Sequence, residues 1–374
     1  MMWGKNNLIW LLTSFLTLSA CVPQNKKEKQ PMPFYVGTYT DGESEGIYSY
    51  VLNPDGTLSK VGLAAESENP SFLAKSGDGK YLLAVNENSD EKGDGGTVSS
   101  FLINPEGLRA IDIKSSGGDW PCFIATNKSG YLLAANYGSG NVALLKLQTD
   151  GTLEGPLDVL QHIGMGIHAR QDAPHAHSAW FNNEDEIISV DLGTNDLWFS
   201  KLEISSNKIV PQSPNKLAMP SGSGPRHLTF HPKNPWIYVL NELSSSISMV
   251  KQEATDQYEI INTQSTLPEG FEGENLCADI HISRDGNFLY ASNRGHNSIV
   301  IYEINKSDGS LVLIGHEDVH GDWPRNFTLS PNGDFLLVAN ERSNNIVSFK
   351  RDHQTGKLTF IAEIEAPSPV CLLF

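Results

Sequence analysis

One phrase recurs along the whole chain. Its fullest copy is Gly222-Ser223-Gly224-Pro225-Arg226-His227-Leu228-Thr229-Phe230-His231-Pro232, followed by the apolar run Trp236 to Leu240 and then Asn241-Glu242. A Pro, an apolar strand, a Gly/Asp/Asn turn, a second apolar strand and a terminal Asn recur at Pro70 to Glu87, Pro121 to Tyr137, Pro174 to Leu192, Cys277 to Arg294 and Pro324 to Glu341. A half-copy, Pro369 to Phe374, ends the chain, and its missing half stands near the start as Phe34 to Tyr39. Seven copies roughly 45 to 55 residues apart have the period of propeller blades.

Each copy reads as four strands, here lettered A to D. Strand A follows the Pro, strand B ends in the Asn, and strand C alternates, as in Ser298-Ile299-Val300-Ile301-Tyr302-Glu303-Ile304. Strand D follows a turn such as Pro54-Asp55-Gly56, Asp150-Gly151, Asp308-Gly309 or Thr355-Gly356, which is hairpin chemistry. The 33 Gly and 20 Pro suit a chain with that many turns. Four antiparallel strands per copy predict an all-β fold, a seven-bladed propeller forming a single domain over residues 33–374. Strands B, C and D of one blade come from Phe34 to Leu63 and its strand A from Pro369 to Phe374. The two ends of the chain are therefore expected to pair and remove the open edge.

The first residues belong to something else. Lys5 gives a short basic region, Leu8 to Leu18 is an apolar stretch too short to span a bilayer comfortably, and Leu18-Ser19-Ala20-Cys21 resembles a bacterial lipobox. That resemblance implies a signal peptide over residues 1–21, cleavage before Cys21 and lipidation of its thiol. Residues 22–32 then read as a tether, and the expected location is the bacterial cell envelope, lipid-anchored and extracytoplasmic. Cys122, Cys277 and Cys371 remain, an odd and scattered set that forms neither a disulfide framework nor a metal motif.

The formal net charge of −17 argues against a nucleic-acid surface, and contact with a membrane is expected through the N-terminal anchor only. An anionic substrate would have to meet a local cluster of Arg and His, which a cleft can provide. Aligning the copies on their Pro supplies one. Just after the Pro stand Ser71, Cys122, His175, Arg226, Ala278, Arg325 and Val370; just after strand B stand Tyr39, Glu87, Tyr137, Leu192, Glu242, Arg294 and Glu341. Strand A runs antiparallel to B, so both sets are expected at one mouth of the central channel. There His175, Arg226, Glu242 and Arg294 are the candidate catalytic residues, with His177, Arg325, Glu87 and Glu341 as candidate substrate contacts.

Each candidate has a plainer reading. His177 falls where the other copies carry Leu73, Ile124, Leu228, Ile280, Phe327 and Leu372, a row of core residues. Asp172, His175 and His177 have metal-ligand chemistry, but no further ligand stands at a convincing spacing, and no metal or other cofactor is expected. The arginines are forks suited to carboxylate or phosphate, or else ties between blades through Glu87, Glu242 and Glu341. The recurring Asn86, Asn136, Asn241, Asn293 and Asn340, with Asp191 as the variant, read as turn residues bonding the following B–C loop.

The motifs Asp172-Ala173-Pro174-His175-Ala176-His177, Gly224 to Pro232, Asn241-Glu242-Leu243, Tyr290 to Gly295 and Pro324-Arg325-Asn326-Phe327 together resemble the seven-bladed lactonase family. It includes the propeller-type 6-phosphogluconolactonase and the fungal 3-carboxy-cis,cis-muconate lactonising enzyme. The resemblance implies a carboxylic-ester hydrolase acting on a small-molecule lactone, with His175, Arg226, Glu242 and, less directly, Arg294 around the channel mouth. Water would be activated by His175 with Glu242, and the oxyanion or anionic substrate held by Arg226, Arg294 and Arg325. Relatives usually carry Glu where this chain has Asp279. A cycloisomerase that closes a lactone, and a propeller that only binds, stay open as alternatives.

Overall fold

The computed structural model of the chain describes residues 1, 3–4, 30–89, 95–254 and 257–374. Cys21 and nearly all of the signal and tether segments lie outside the described residues. Pro31–Phe374 forms one compact unit built of seven four-stranded antiparallel sheets, and the described residues contain no helix.

The innermost strands A are Pro70–Lys75, Pro121–Thr126, Ala176–Phe181, Pro225–Phe230, Leu276–Ile282, Pro324–Leu329 and Pro369–Leu373. The last of these completes blade 1, pairing with the N-terminal strand Met32–Thr38 in the register Tyr35↔Leu373, Val36↔Leu372 and Gly37↔Cys371. Blade 1 is thus closed by both ends of the chain, as the split repeat predicts. Phe34 packs on Tyr50 and Phe374 at that seam, with ring centroids 5.7 and 5.4 Å apart.

The core lies between blades. Trp236, Tyr238 and Met249 of blade 5 face Leu289, Val300 and Tyr302 of blade 6, all buried. The C–D turn of one blade tucks under the aromatic that opens strand B of its neighbour. At Gly309 φ is +80° and a Cβ would stand 2.7 Å from the Trp236 ring, so both backbone and space demand glycine. The Tyr238 hydroxyl donates to the Gly309 carbonyl at 2.7 Å and fixes the turn.

Two local devices position the channel mouth. The first is a β-bulge one residue into strand A. Pro70, Pro121, Pro225 and Pro324 pair with Asn86, Asn136, Asn241 and Asn340, and the register shifts before the next paired residue. An extra residue there re-aims its side chain, and those residues are Ser71, Cys122, Arg226 and Arg325. In blade 4 it is Ala176 that pairs with Asp191, and the shift falls between Ala176 and Ser178. His177 is therefore the counterpart of Arg226, correcting the alignment on Pro174 by two residues. The row of Leu228 and Phe327 continues in blade 4 at Ala179, not at His177. His175 precedes the strand, at the place held elsewhere by Asn69, Trp120, Trp323 and Ser368, all with positive φ.

The second device is the Asn that closes strand B. Its amide reaches the connector entering its own blade: Asn136 donates to Ser116 O, Asn293 to Thr266 O and Asn340 to Val319 O, at 2.9, 3.0 and 3.1 Å. These bonds tie the blade to that connector, where sequence reasoning expected a bond to the B–C loop backbone. Asn241 differs and donates to Ser246 Oγ and Ser248 Oγ of strand C, both at 3.0 Å. Asp191 has no proton to donate, and the chemistry is reversed there. His162 of the connector hydrogen-bonds Asp191 through Nδ1 at 2.7 Å, while the backbone N–H groups of His175 and Thr194 donate at 2.9 and 2.8 Å.

Candidate active site

At the mouth the bulges and the ends of strands B converge on a cavity of ≈ 210 Å³. Cys122, His177 and Arg325 reach it from bulge positions, and Tyr39, Glu87, Tyr137, Glu242 and Arg294 from the position after strand B. Arg170 completes the lining from the connector between blades 3 and 4. Beneath lies a narrow space of ≈ 10 Å³ bordered by Arg226, His227, Arg325 and Asn326.

Glu242 is the electrostatic centre. Its carboxylate lies 2.6 Å from Arg170 Nη1, 3.1 Å from Arg294 Nη2 and 3.1 Å from Arg226 Nε. Burial opposes its charge, but Arg294, Arg226 and Arg170 outweigh burial and hold the carboxyl down at about 2. Arg226 stands one layer lower: it donates through Nη1 to the Ala278 carbonyl and to His227 Nε2, the latter at 3.2 Å. Arg294 donates to Leu276 O and Cys277 O at 3.2 and 3.0 Å, which leaves Nη1 without a protein partner among the described residues. Burial pulls Arg294 down to about 10, so it stays charged at neutral pH.

Across the cavity Arg325 sits between two carboxylates, 3.9 Å from Glu87 and 4.0 Å from Glu341, and donates to the Tyr39 hydroxyl. Tyr39 in turn donates to Glu87 at 3.0 Å. Such alternation of donors and acceptors matches the hydroxyls of a polyol.

The two histidines divide. His177 lines the cavity at 5% exposure, its Nδ1 is 3.7 Å from Cys122 Sγ, and Nε2 has no protein partner among the described residues. Burial, reinforced by Arg226, holds its pKa well below 6.5, so the ring is neutral at neutral pH. His175 lies outside the lining. Its Nδ1 is 2.9 Å from Tyr137 O, its Nε2 3.5 Å from Asp172, and its ring stacks on Tyr137 at 4.5 Å. No hydrogen bond joins it to Glu242, whose partners are arginines.

Sequence reasoning missed Arg170, because its connector lies outside the repeat and no alignment of blades reaches it. It also passed over Cys122 as a pocket residue. Burial pushes that thiol far above the ordinary range, so it is an inert wall. Asp279, below the floor, accepts from His227 and His281 at 3.0 Å and from Asn326 at 2.6 Å. That network packs the channel and fixes the orientation of His227 under Arg226. Among the described residues no group of three or more His, Cys, Asp or Glu is arranged to hold a metal ion.

A closed seven-bladed propeller with a small charged cavity at one channel mouth defines the architectural class. The family model described as "Lactonase, 7-bladed beta-propeller" matches residues 33–374, and the chain belongs to that family. It is 36% identical to a 6-phosphogluconolactonase of Bacillus subtilis over 91% of this chain and 97% of the relative. A 6-phosphogluconolactonase of Formosa agariphila is 37% identical over 79% of this chain and 86% of its own. Among solved structures, a periplasmic gluconolactonase of Pseudomonas aeruginosa superposes with TM-score 0.88 at 32% identity, over 92% of this chain and 98% of its own. The relatives are thus named as lactone-hydrolysing enzymes, carboxylic-ester hydrolases.

Proposed function

We propose that this chain hydrolyses a sugar lactone of the 6-phosphogluconolactone type at the channel mouth. The observation that carries the reading is a neutral, buried His177 with a free Nε2, facing a cavity lined by Arg294, Arg325 and Glu87. Family membership supports the reaction class. Glu87, Tyr39 and Arg325 would hold the sugar hydroxyls, with Glu341, outside the lining, set against Arg325. Water attacks the ring carbonyl and gives its proton to His177 Nε2. The oxyanion forms beside Arg294 Nη1, a type of contact worth about 3 to 4 kcal/mol per donor. Collapse breaks the ring C–O bond, and the leaving alkoxide takes the proton back from His177 to give the hydroxy acid.

In this reading His177 is the base and Arg294 the oxyanion donor, in place of the His175 and Arg226 expected from the sequence. Both nitrogens of His175 are engaged, and it acts by holding Tyr137. Glu242, held at about 2, is too weak a base to take a proton from water and instead orders Arg170, Arg226 and Arg294. The test is hydrolysis of glucono-δ-lactone and 6-phosphoglucono-δ-lactone, each compared with spontaneous opening. Loss of about a hundred-fold or more in kcat is expected for His177→Ala, and a smaller loss for His175→Ala. Full activity in His177→Ala excludes this mechanism.

Lipidation of Cys21 and an envelope location belong to the same proposal. The lipobox supports them, and one relative is named as periplasmic. Labelling of the expressed protein by a radioactive fatty acid, absent in Cys21→Ala, is the expected outcome; labelling that survives the substitution rejects it.

A further inference from the structure

Three guanidinium groups line the cavity, Arg170, Arg294 and Arg325, against two carboxylates, Glu87 and Glu242, while Arg226 meets Glu242 from the layer below and Glu341 flanks Arg325. With His177 neutral, one positive charge is left over. Its position follows from the contacts. Arg226 and Arg294 are 3% and 4% exposed and already oppose Glu242, while Arg325 is enclosed by Glu87, Glu341 and Tyr39. Arg170 is the third cation on a single carboxylate, and its side chain is 40% exposed. The surplus charge therefore stands at the solvent side of the cavity, on Arg170.

The chain around Arg170 is built to present it. Residues 162–175 make the longest connection between one blade and the next. Gln171, fully buried, donates to Leu192 O and Asn195 Oδ1 at 2.8 and 3.0 Å and anchors the loop to blade 4. From that anchor the guanidinium spans the rim, with Nη1 on Glu242 at 2.6 Å and Nη2 on the Tyr137 hydroxyl at 3.1 Å. A structural tie alone would not need a third arginine on Glu242, nor a half-exposed one.

We propose that Arg170 is a specificity-determining residue that reads an anionic substituent, such as a phosphate, on the end of the lactone away from the reacting carbonyl. The proposal rests on the lactonase reading above. A phosphate at the rim would take up the fork of Arg170 and set its negative charge against the one unmatched positive charge. An uncharged sugar lactone would use the same hydroxyl contacts deeper in the cavity but leave Arg170 on Glu242 and Tyr137.

The experiment compares kcat/KM for 6-phosphoglucono-δ-lactone and glucono-δ-lactone in the wild type, Arg170→Gln and Arg170→Lys. The ratio of the two is expected to fall about ten-fold or more in Arg170→Gln and to recover largely in Arg170→Lys, which keeps the charge. A ratio unchanged in Arg170→Gln, both lactones being slowed alike, overturns the proposal, since Arg170 would then serve only to hold Glu242. Calorimetric binding of 6-phosphogluconate and gluconate to the wild type decides the case if the variants do not fold. Binding of the phosphorylated acid about ten-fold or more tighter is expected, and equal affinities overturn the proposal. Absence of turnover of both lactones by the wild type would instead refute the lactonase reading, and the same binding comparison would still judge Arg170.

Discussion

A buried histidine with guanidinium groups nearby holds a proton poorly, and His177 is in that position. Its folded-state pKa lies below 6.5, so the neutral base persists as pH falls past the point where an exposed histidine would protonate. The acid limb of kcat/KM is accordingly expected below pH 6.5, and a limb at or above that value in a pH–rate profile would assign the base elsewhere. The identity of this residue was only half legible. Both histidines stand out in Asp172 to His177, but the choice between them depends on which residue pairs with Asp191. Blade 4 has Ala176 where most other blades have Pro, and the nearest Pro, Pro174, lies two residues early. Arg226, Glu242 and Arg294 were readable because their blades keep the Pro and Asn punctuation, or, in blade 6, keep the Asn with Cys277 paired to it in place of the Pro.

At the scale of single elements, the Asp191–His162 pair shows how one blade departs from the repeat without losing its tie. Four blades make this tie with an Asn amide; blade 4 uses a carboxylate and must import a donor, which the connector supplies. The pair is fully buried, and His162 also stacks on Trp198 at 4.5 Å and lies 3.2 Å from Ser189 Oγ. His162→Ala strips Asp191 of that partner and opens space against Trp198. A loss of about 3 kcal/mol in unfolding free energy is expected from urea titration. A change under about 0.5 kcal/mol, the size of a neutral surface substitution, would contradict this role. The same connector carries Arg170, which no periodic pattern could have flagged: irregular segments have no register to align.

For the molecule as a whole, closure depends on six residues at the end of the chain. Removing Pro369–Phe374 leaves the N-terminal strand of blade 1 unpaired on its inner side and uncovers Phe34 and Leu73. Loss of the cooperative thermal transition in calorimetry is expected for that truncation, and a transition at the wild-type temperature would show that the seam does not hold the ring. The seven-fold repeat and its split blade were legible because they are patterns of turn and strand residues, which sequence displays directly. The cavity's charge balance was not, since it arises where side chains from all seven blades and one connector meet.

The most direct test of the site is the rate at which the purified protein opens 6-phosphoglucono-δ-lactone and glucono-δ-lactone, followed by proton release beside the spontaneous reaction. Acceleration of at least one lactone, abolished in His177→Ala and Arg294→Ala while both variants keep the wild-type thermal transition, is the expected result. Wild-type rates no faster than spontaneous opening for both lactones, or acceleration that survives His177→Ala, would contradict hydrolysis at this channel mouth.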